Sequence, residues 1–370
     1  MTDTTLEAIT LNIVDGVHGD CTPEDDSGFF FISVKDMQEF RIDYSSARQI
    51  TYSDFQKANL RTKLEADDVL FANTGDTIGK MLRITSSTAR IGYTTFQKSI
   101  AILKPDTSKI DPLYFYYLIR FNIPGLRGAA VGSGQKNLLL GDMRTYKIRV
   151  PHDGSDQINI AKVLYAIDKK IETNAAINDN LQQMAHTAYM HLFFNKPANG
   201  KIGDILIENH KSSIQVGEAK DVDGDYPFFT SGDAVLRWPE FLVDGRNSYL
   251  NTGGNAGVKY YVGRAAYSTD TWCVSARDGL EDYLYLLLDS IKQELRQKFF
   301  QGTGLKHLQK PMLKNRSIYI PSSTELESFN QSVVPWLSLI SENVRESQRL
   351  SMLRDWLLPM LMNGQATIAN

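Results

Sequence analysis

The sequence predicts an α+β protein in which two mixed α/β modules alternate with two long coiled-coil helices, the second half repeating the first. Three observations predict it. Residues 160–192 carry a stripe at 4,3,4,3 spacing: Ile160, Leu164, Ile167, Ile171, Asn174, Asn178, Leu181, Ala185, Ala188 and Leu192. Such a stripe sets one long helix against another. Adding 169 to each number gives a second seam: Phe329, Val333, Trp336, Ile340, Asn343, Ser347, Leu350, Arg354, Leu357 and Leu361. Asn343 falls where Asn174 stood, and facing amides at seam positions select one register. Finally, short motifs recur in the same order at nearly constant offset, the mark of internal duplication. The boundaries that follow are 1–152 and 198–322 for the modules, with 153–197 and 323–365 for the helices.

The first module opens with a strand, Ile9 to Val14, and a turn-rich stretch from Asp15 to Gly19. Phe29 to Val34 reads as a buried strand, and Asp68 to Ala72 as another that ends in Asn73-Thr74-Gly75. Strand-like segments follow at 81–84 and 91–103. Asp111 caps a helix with Pro112 in its first turn. That helix spans Leu113 to Phe121, followed by a Gly/Pro loop from Asn122 to Ala130. Gly132-Ser133-Gly134-Gln135-Lys136 is a tight turn before the strand Tyr146 to Val150. Asp153-Gly154-Ser155-Asp156 starts the first long helix, which reaches about Asn195. Its seam alone is roughly 50 Å long at 1.5 Å per residue.

The second module repeats these parts. Tyr226 to Ser231 echoes Phe29 to Ser33, and Asn251-Thr252-Gly253 repeats Asn73-Thr74-Gly75 after 178 residues, with Gly257 echoing Gly79. Ala266 to Thr269 echoes Gly92 to Thr95. Gly302-Thr303-Gly304, with Lys306 and Leu308, repeats Gly132-Ser133-Gly134, Lys136 and Leu138 after 170, so the first copy carries eight more residues between the two turns. Pro335 lies inside the second seam and predicts either a late helix start or a kink.

Composition excludes several classes. Hydrophobic residues make up 42% and charged residues 22% of 370, with net charge −3, so the chain is not a basic nucleic-acid binder by bulk charge. Phosphate contact depends instead on local patches. The longest apolar run, Tyr283 to Leu288, is too short for a membrane span. No signal peptide is predicted. Cys21 and Cys273 lack CxxC partners, which fits a reducing cytoplasm, and no zinc-type ligand cluster is present.

The chemistry-bearing motifs are turns. Gly75 to Met81 is one residue short of a P-loop and has Met81 where magnesium needs a hydroxyl. A glycine-permitted turn carrying base or phosphate contacts is the better account. The Gly-x-Gly turns offer exposed amides and one lysine each, Lys136 and Lys306, for phosphate; the plain alternative is a solvated connection. Gln135 has the amide that can read adenine. The aromatic runs Tyr114 to Tyr117 and Tyr283 to Tyr285 read as core at helical spacing. Asp204 with Glu218-x-Lys220 resembles a loose metal-nuclease pattern, although Asp223 and Asp225 beside it suggest an acidic turn. The chain has no Pro-Pro and hence no Asn-Pro-Pro-aromatic methyltransferase motif, and it shows no GxSxG.

Taken together, the two modules, the Tyr226 to Gly232 segment, Asn251-Thr252-Gly253 and the Gly-x-Gly turns before Val150-Pro151 and Ile320-Pro321 resemble the DNA-specificity subunit of type I restriction-modification systems. Gln157-Ile158 with Leu164 and Asp168 resembles the opening of that family's central helix, and Leu357 to Gly364 its C-terminal counterpart. The second helix has Leu326-Glu327 in place of the Gln-Ile opening. The resemblance implies two target recognition domains, each reading half of a split double-stranded DNA site, on an antiparallel helical spacer. It implies two modification subunits that carry S-adenosylmethionine, added restriction/translocase subunits, and no catalysis or cofactor in this chain. The DNA-contacting candidates are Asn73, Thr74, Lys80, Gln135, Lys136, Asn251, Thr252, Asn255, Lys259, Lys306 and His307, with Asn174 and Asn343 setting helix register. A stand-alone DNA-modifying enzyme or magnesium-dependent nuclease built on Glu218 and Lys220 is the alternative.

Overall fold

The computed structural model describes residues 1–151, 153–220 and 222–366. The chain divides into two units. One comprises residues 1–172 with the chain from Leu350 onward; the other is Thr173–Arg349.

Both units are built on the same pair of sheets. In the first, a four-stranded antiparallel sheet runs in the order Thr10–Asp15, Ile100–Pro105, Val69–Ala72, Met81–Arg83. In the second, the order is Leu206–Glu208, Thr271–Ala276, Arg246–Asn251, Val258–Val262. Each unit adds a three-stranded sheet whose middle strand has one antiparallel and one parallel neighbour. Phe30–Ile32 lies between Arg48–Gln49 and Thr94–Phe96, and Tyr226–Phe229 between Val235–Trp238 and Ala266–Tyr267.

Alternation explains how the central strands serve two cores. Leu70, Ile100 and Ile102 point to a cluster with Phe30, Ile32 and Phe96. Their neighbours Val69, Phe71, Ala101 and Leu103 point to the opposite face. There they meet the helix Pro112–Ala129 and the long-helix residues Ile160, Leu164, Leu358 and Leu361. The second unit packs Leu250, Trp272 and Val274 against the helix Glu281–Ser290 and against Ala185, Phe193, Phe329 and Val333. Both aromatic runs are core, as their spacing predicts: Tyr114, Tyr117 and Tyr283 are almost fully buried.

The helix capped by Asp111, whose carboxylate accepts the Tyr114 N–H, runs on to Ala129. The expected loop at 122–130 is therefore helical as far as Ala129. Leu126 is buried in the core, the Asn122 amide donates to the Leu118 carbonyl and Arg127 donates to the Ile78 carbonyl, and these contacts outweigh the bond lost at Pro124. Pro335 likewise neither delays nor ends its helix, which spans Ser323–Met362.

The first long helix spans Gly154–Tyr189 and closes in a π-turn, Met190–Phe194. The wider turn moves the seam on by one residue: Phe193 is buried while the expected Leu192 is 40% exposed. Gln157 anchors the helix start by accepting the Asp111 N–H. Within the second unit the two long helices run antiparallel, with Phe193 against Phe329, Asn178 bonded to Asn343, and Asn174 to Glu346 and Ser347. Asn174 and Asn343 thus do not face each other. Antiparallel pairing places each opposite a residue about one turn from the other, so each amide takes a different partner. In the first unit the corresponding pair is ionic. Arg354, 3% exposed, bonds Asp168 at 2.7 Å, and the Tyr117 hydroxyl donates to the other carboxylate oxygen at 2.7 Å.

Candidate nucleic-acid interface

The two repeated turns, far apart in sequence, meet in space within each unit. In the first unit the Gly75 N–H donates to the Lys136 carbonyl at 2.7 Å and the Leu138 N–H to the Asn73 carbonyl at 2.8 Å. In the second, the Gly254 N–H donates to the Lys306 carbonyl at 2.9 Å and the Leu308 N–H to the Thr252 carbonyl at 3.0 Å. Gly75 and Gly254 have φ of 67° and 76°, in the left-handed region that glycine enters without penalty.

These bonds correct the motif echo. They make Asn73-Thr74-Gly75 equivalent to Thr252-Gly253-Gly254, one residue beyond the matching letters Asn251-Thr252-Gly253. The sheet agrees: Ala72 ends its ladder opposite Ile100 as Asn251 does opposite Thr271. The echo of Gly92 to Thr95 in Ala266 to Thr269 slips further. Ala266-Tyr267 pairs with Phe228-Phe229 in the way Thr95-Phe96 pairs with Phe31-Ile32. Nor does Gly257 stand for Gly79. Its carbonyl accepts the Asn251 N–H where the Lys80 carbonyl accepts that of Ala72.

Candidate residues separate into two groups. Asn73 and Asn251 are buried, and the Asn251 amide holds its own turn by donating to the Asn255 carbonyl at 2.9 Å. The Thr74 hydroxyl donates to the Asn73 side chain and that of Thr252 to the Asp270 carbonyl. The Lys80 ammonium donates to the Val34 carbonyl at 3.0 Å, and that of Lys259 to the carbonyls of Thr230 and Gly232. Burial pushes the Lys259 pKa down, with Asp233 opposing. These six side chains shape the turns.

Gln135, Lys136, Asn255, Lys306 and His307 form the second group and are exposed. Neither the Lys136 nor the Lys306 ammonium has an ion-pair partner among the described residues. The backbone amides of 133–136 and 303–306 donate to no described acceptor. Each turn therefore presents open N–H groups beside a free cation, a set that suits a phosphate. The Gly75–Lys80 turn does not: its amides at 75, 78, 79 and 80 already donate to Lys136, Gly75, Ala72 and Thr77.

Among the elements that sequence reasoning missed, one bears on this site. The helix Tyr52–Thr62, in the first unit, has no counterpart between Val235–Trp238 and Arg246–Asn251. Its signals were the Thr51 cap, which accepts the Asp54 N–H, and the apolar pair Phe55 and Ala58. It exposes Lys57 and Arg61, and Arg61 pairs with Asp15. Asp15 pairs with Ala101 and Ala101 with Phe71, so this helix meets the same end of the sheet as the turns, two strand spacings or roughly 10 Å away.

The alternative acidic cluster is structural. Glu218 accepts the Gln215 N–H and Asp204 the Lys201 N–H. Among the described residues no group of three or more His, Cys, Asp or Glu is placed to hold a metal ion, and no helix is long and apolar enough to cross a membrane.

Comparison with known proteins points the same way. The family described as type I restriction modification DNA specificity domain matches at residues 22–183 and again at 198–338. The EcoDI specificity subunit of Escherichia coli is 22% identical over 153 residues, covering 40% of this chain and 34% of that protein, so the match spans about a third of the relative. The crystal structure of the type I restriction-modification system S subunit from M. genitalium has TM-score 0.56 at 13% identity, covering 97% of this chain and 95% of that one, and shares the fold. With two family matches that follow its internal repeat, the chain belongs to the type I restriction modification DNA specificity family.

Proposed function

We propose that this chain is the DNA-reading subunit of a type I restriction-modification complex and that each unit reads one half of a bipartite double-stranded site. One observation carries the reading. Both units join a strand end to a Gly-x-Gly hairpin whose amides and lysine have no partner among the described residues. Phosphate contacts of this kind position a protein on a duplex without reading its sequence. Two such contacts on one chain fix two registers at once. The target recognition domains are residues 1–152 and 198–322, and the helices at 153–197 and 323–365 are the coiled-coil spacer between them.

The chain recognises and does not catalyse. Two modification subunits dock on the helices and supply S-adenosylmethionine and the methyl-transfer pocket, into which the target base is flipped. Restriction/translocase subunits complete the assembly in the cytoplasm. The deciding experiment is a footprint of the chain assembled with its modification subunits. The expected result is two protected patches about one helical turn apart. A single patch, or none, refutes the reading.

A further inference from the structure

We infer that residues 135 and 305 are the base-reading position of the two hairpin turns, Gln135 taking an adenine edge and Leu305 a thymine methyl group. The inference rests on the DNA-recognition reading above and goes beyond it to one side chain per half-site. Each turn serves as the control for the other, because their frames are the same. Gly132 and Gly302 have φ of 128° and 146°. A Cβ there would lie 2.5 Å from the Gln135 carbonyl oxygen or 2.7 Å from that of Leu305. The carbonyl of residue 135 or 305 is thereby seated against the first glycine.

The side chains at these two positions are exposed, Leu305 to 65%. Each leans on the neighbouring strand end. Gln135 Nε2 is 3.3 Å from where a Cβ would stand at Gly75, and Leu305 Cδ2 is 3.7 Å from the same point at Gly253. Lysine follows in both copies. The next position also differs and is exposed too, Asn137 against His307, but there the Asn137 amide is already engaged, donating to the Gln135 carbonyl. Residue 135/305 is where a constant frame presents different chemistry.

That chemistry is complementary to base edges. A glutamine amide matches the N6 donor and N7 acceptor of adenine, and an aliphatic side chain matches the thymine C5-methyl. The Gln135 amide bonds to no described residue, so nothing in the fold competes for it. An isobutyl group at the tip of a basic turn gains nothing from water and gains on meeting an apolar group. Two side chains this different cannot make one common phosphate contact; the shared lysine and amides do that.

The test uses the full chain assembled with its modification subunits and duplexes randomised across both half-sites, with selection read by sequencing. Failure of the unaltered assembly to select any duplex overturns the recognition reading itself. Given selection, Leu305→Gln should change the preferred base pair at one position of one half-site by roughly ten- to a hundredfold, with the other half-site and the salt slope unchanged. Gln135→Leu should do the same in the opposite half. Leu305→Ala should weaken the thymine preference at that same pair. Uniform weakening across all duplexes, altered preference in both halves, or unaltered preference each overturns the assignment. Melting temperatures matching the parent establish that an exposed side chain, and not the fold, was changed.

Discussion

Arg354→Met should be more damaging than a triple substitution that contains it. In the first unit the guanidinium bonds Asp168 at 2.7 Å, Glu39 at 3.0 Å and Asp355 at 2.9 Å. The Arg354 and Asp168 side chains are 4% and 6% exposed. Removing one partner of a buried pair costs about 3–5 kcal/mol, because the other charge stays buried. Here the Tyr117 hydroxyl still donates to Asp168, and Glu39 and Asp355 are open to water. We therefore expect about 2–4 kcal/mol for Arg354→Met. Tyr117→Phe/Asp168→Leu/Arg354→Met removes all three polar groups of the cluster together, and an apolar replacement of a buried pair is often close to neutral. The added bulk at 168 has room, since this residue borders a cavity of about 460 Å³ with Tyr116 and Tyr165. The triple variant should lose about 1 kcal/mol. Urea unfolding monitored in the first unit measures both. A triple variant less stable than the single one refutes the reasoning.

Three further outcomes follow from the same geometry. Gly302→Ala places a Cβ 2.7 Å from a carbonyl oxygen at φ 146°, for a local cost of about 1–3 kcal/mol. Footprinting should show loss of protection at one half-site only. Lys136→Ala and Lys306→Ala should each weaken binding to all sequences alike and reduce the salt slope by about one phosphate's worth; an unchanged slope on salt titration removes the lysine from the phosphate role. Burial pushes the Cys273 thiol up to about 12, and burial with Asp54 raises that of Cys21. Neither should take up iodoacetamide in the native chain near pH 8, whereas both should react in urea, as read by mass spectrometry.

Both long helices were legible in the sequence because each carries a seam of ten positions, of which half are buried and all but Leu192 of the rest are half-buried. The duplication was legible through its turns: Gly132 matched Gly302, both at positive φ, whereas the echo that paired Gly75 with Gly253 fell one residue short of Gly254. Letter matching failed where hydrogen bonding defines equivalence. Asn73 and Thr252 hold the same backbone bond with different side chains, so their correspondence is invisible in the sequence. Lys80 and Lys259 stood among the DNA-contacting candidates because carbonyls carry no letter; only the fold shows Val34, Thr230 and Gly232 beneath them. Register was sought in Asn174 and Asn343. Arg354 was counted in the stripe with no role of its own, because the sequence does not show the Asp168 carboxylate that its buried guanidinium meets. The helix at 52–62 was missed because its cap and two apolar residues are a weak signal at that length.

The first unit takes its final core residues, Leu358, Leu361 and Met362, from the far end of the chain, whereas the second is contiguous. On a ribosome, the unit begun first is therefore completed last. At about 5–20 residues per second, some ten to forty seconds separate the emergence of Asp168 from that of Arg354. During that interval the carboxylate and the apolar stripe around Leu164 have no mate from the second helix. The second unit can finish folding meanwhile. Synthesis of this chain thus closes a clasp, and a chaperone that shields the first helix should be needed most in that window.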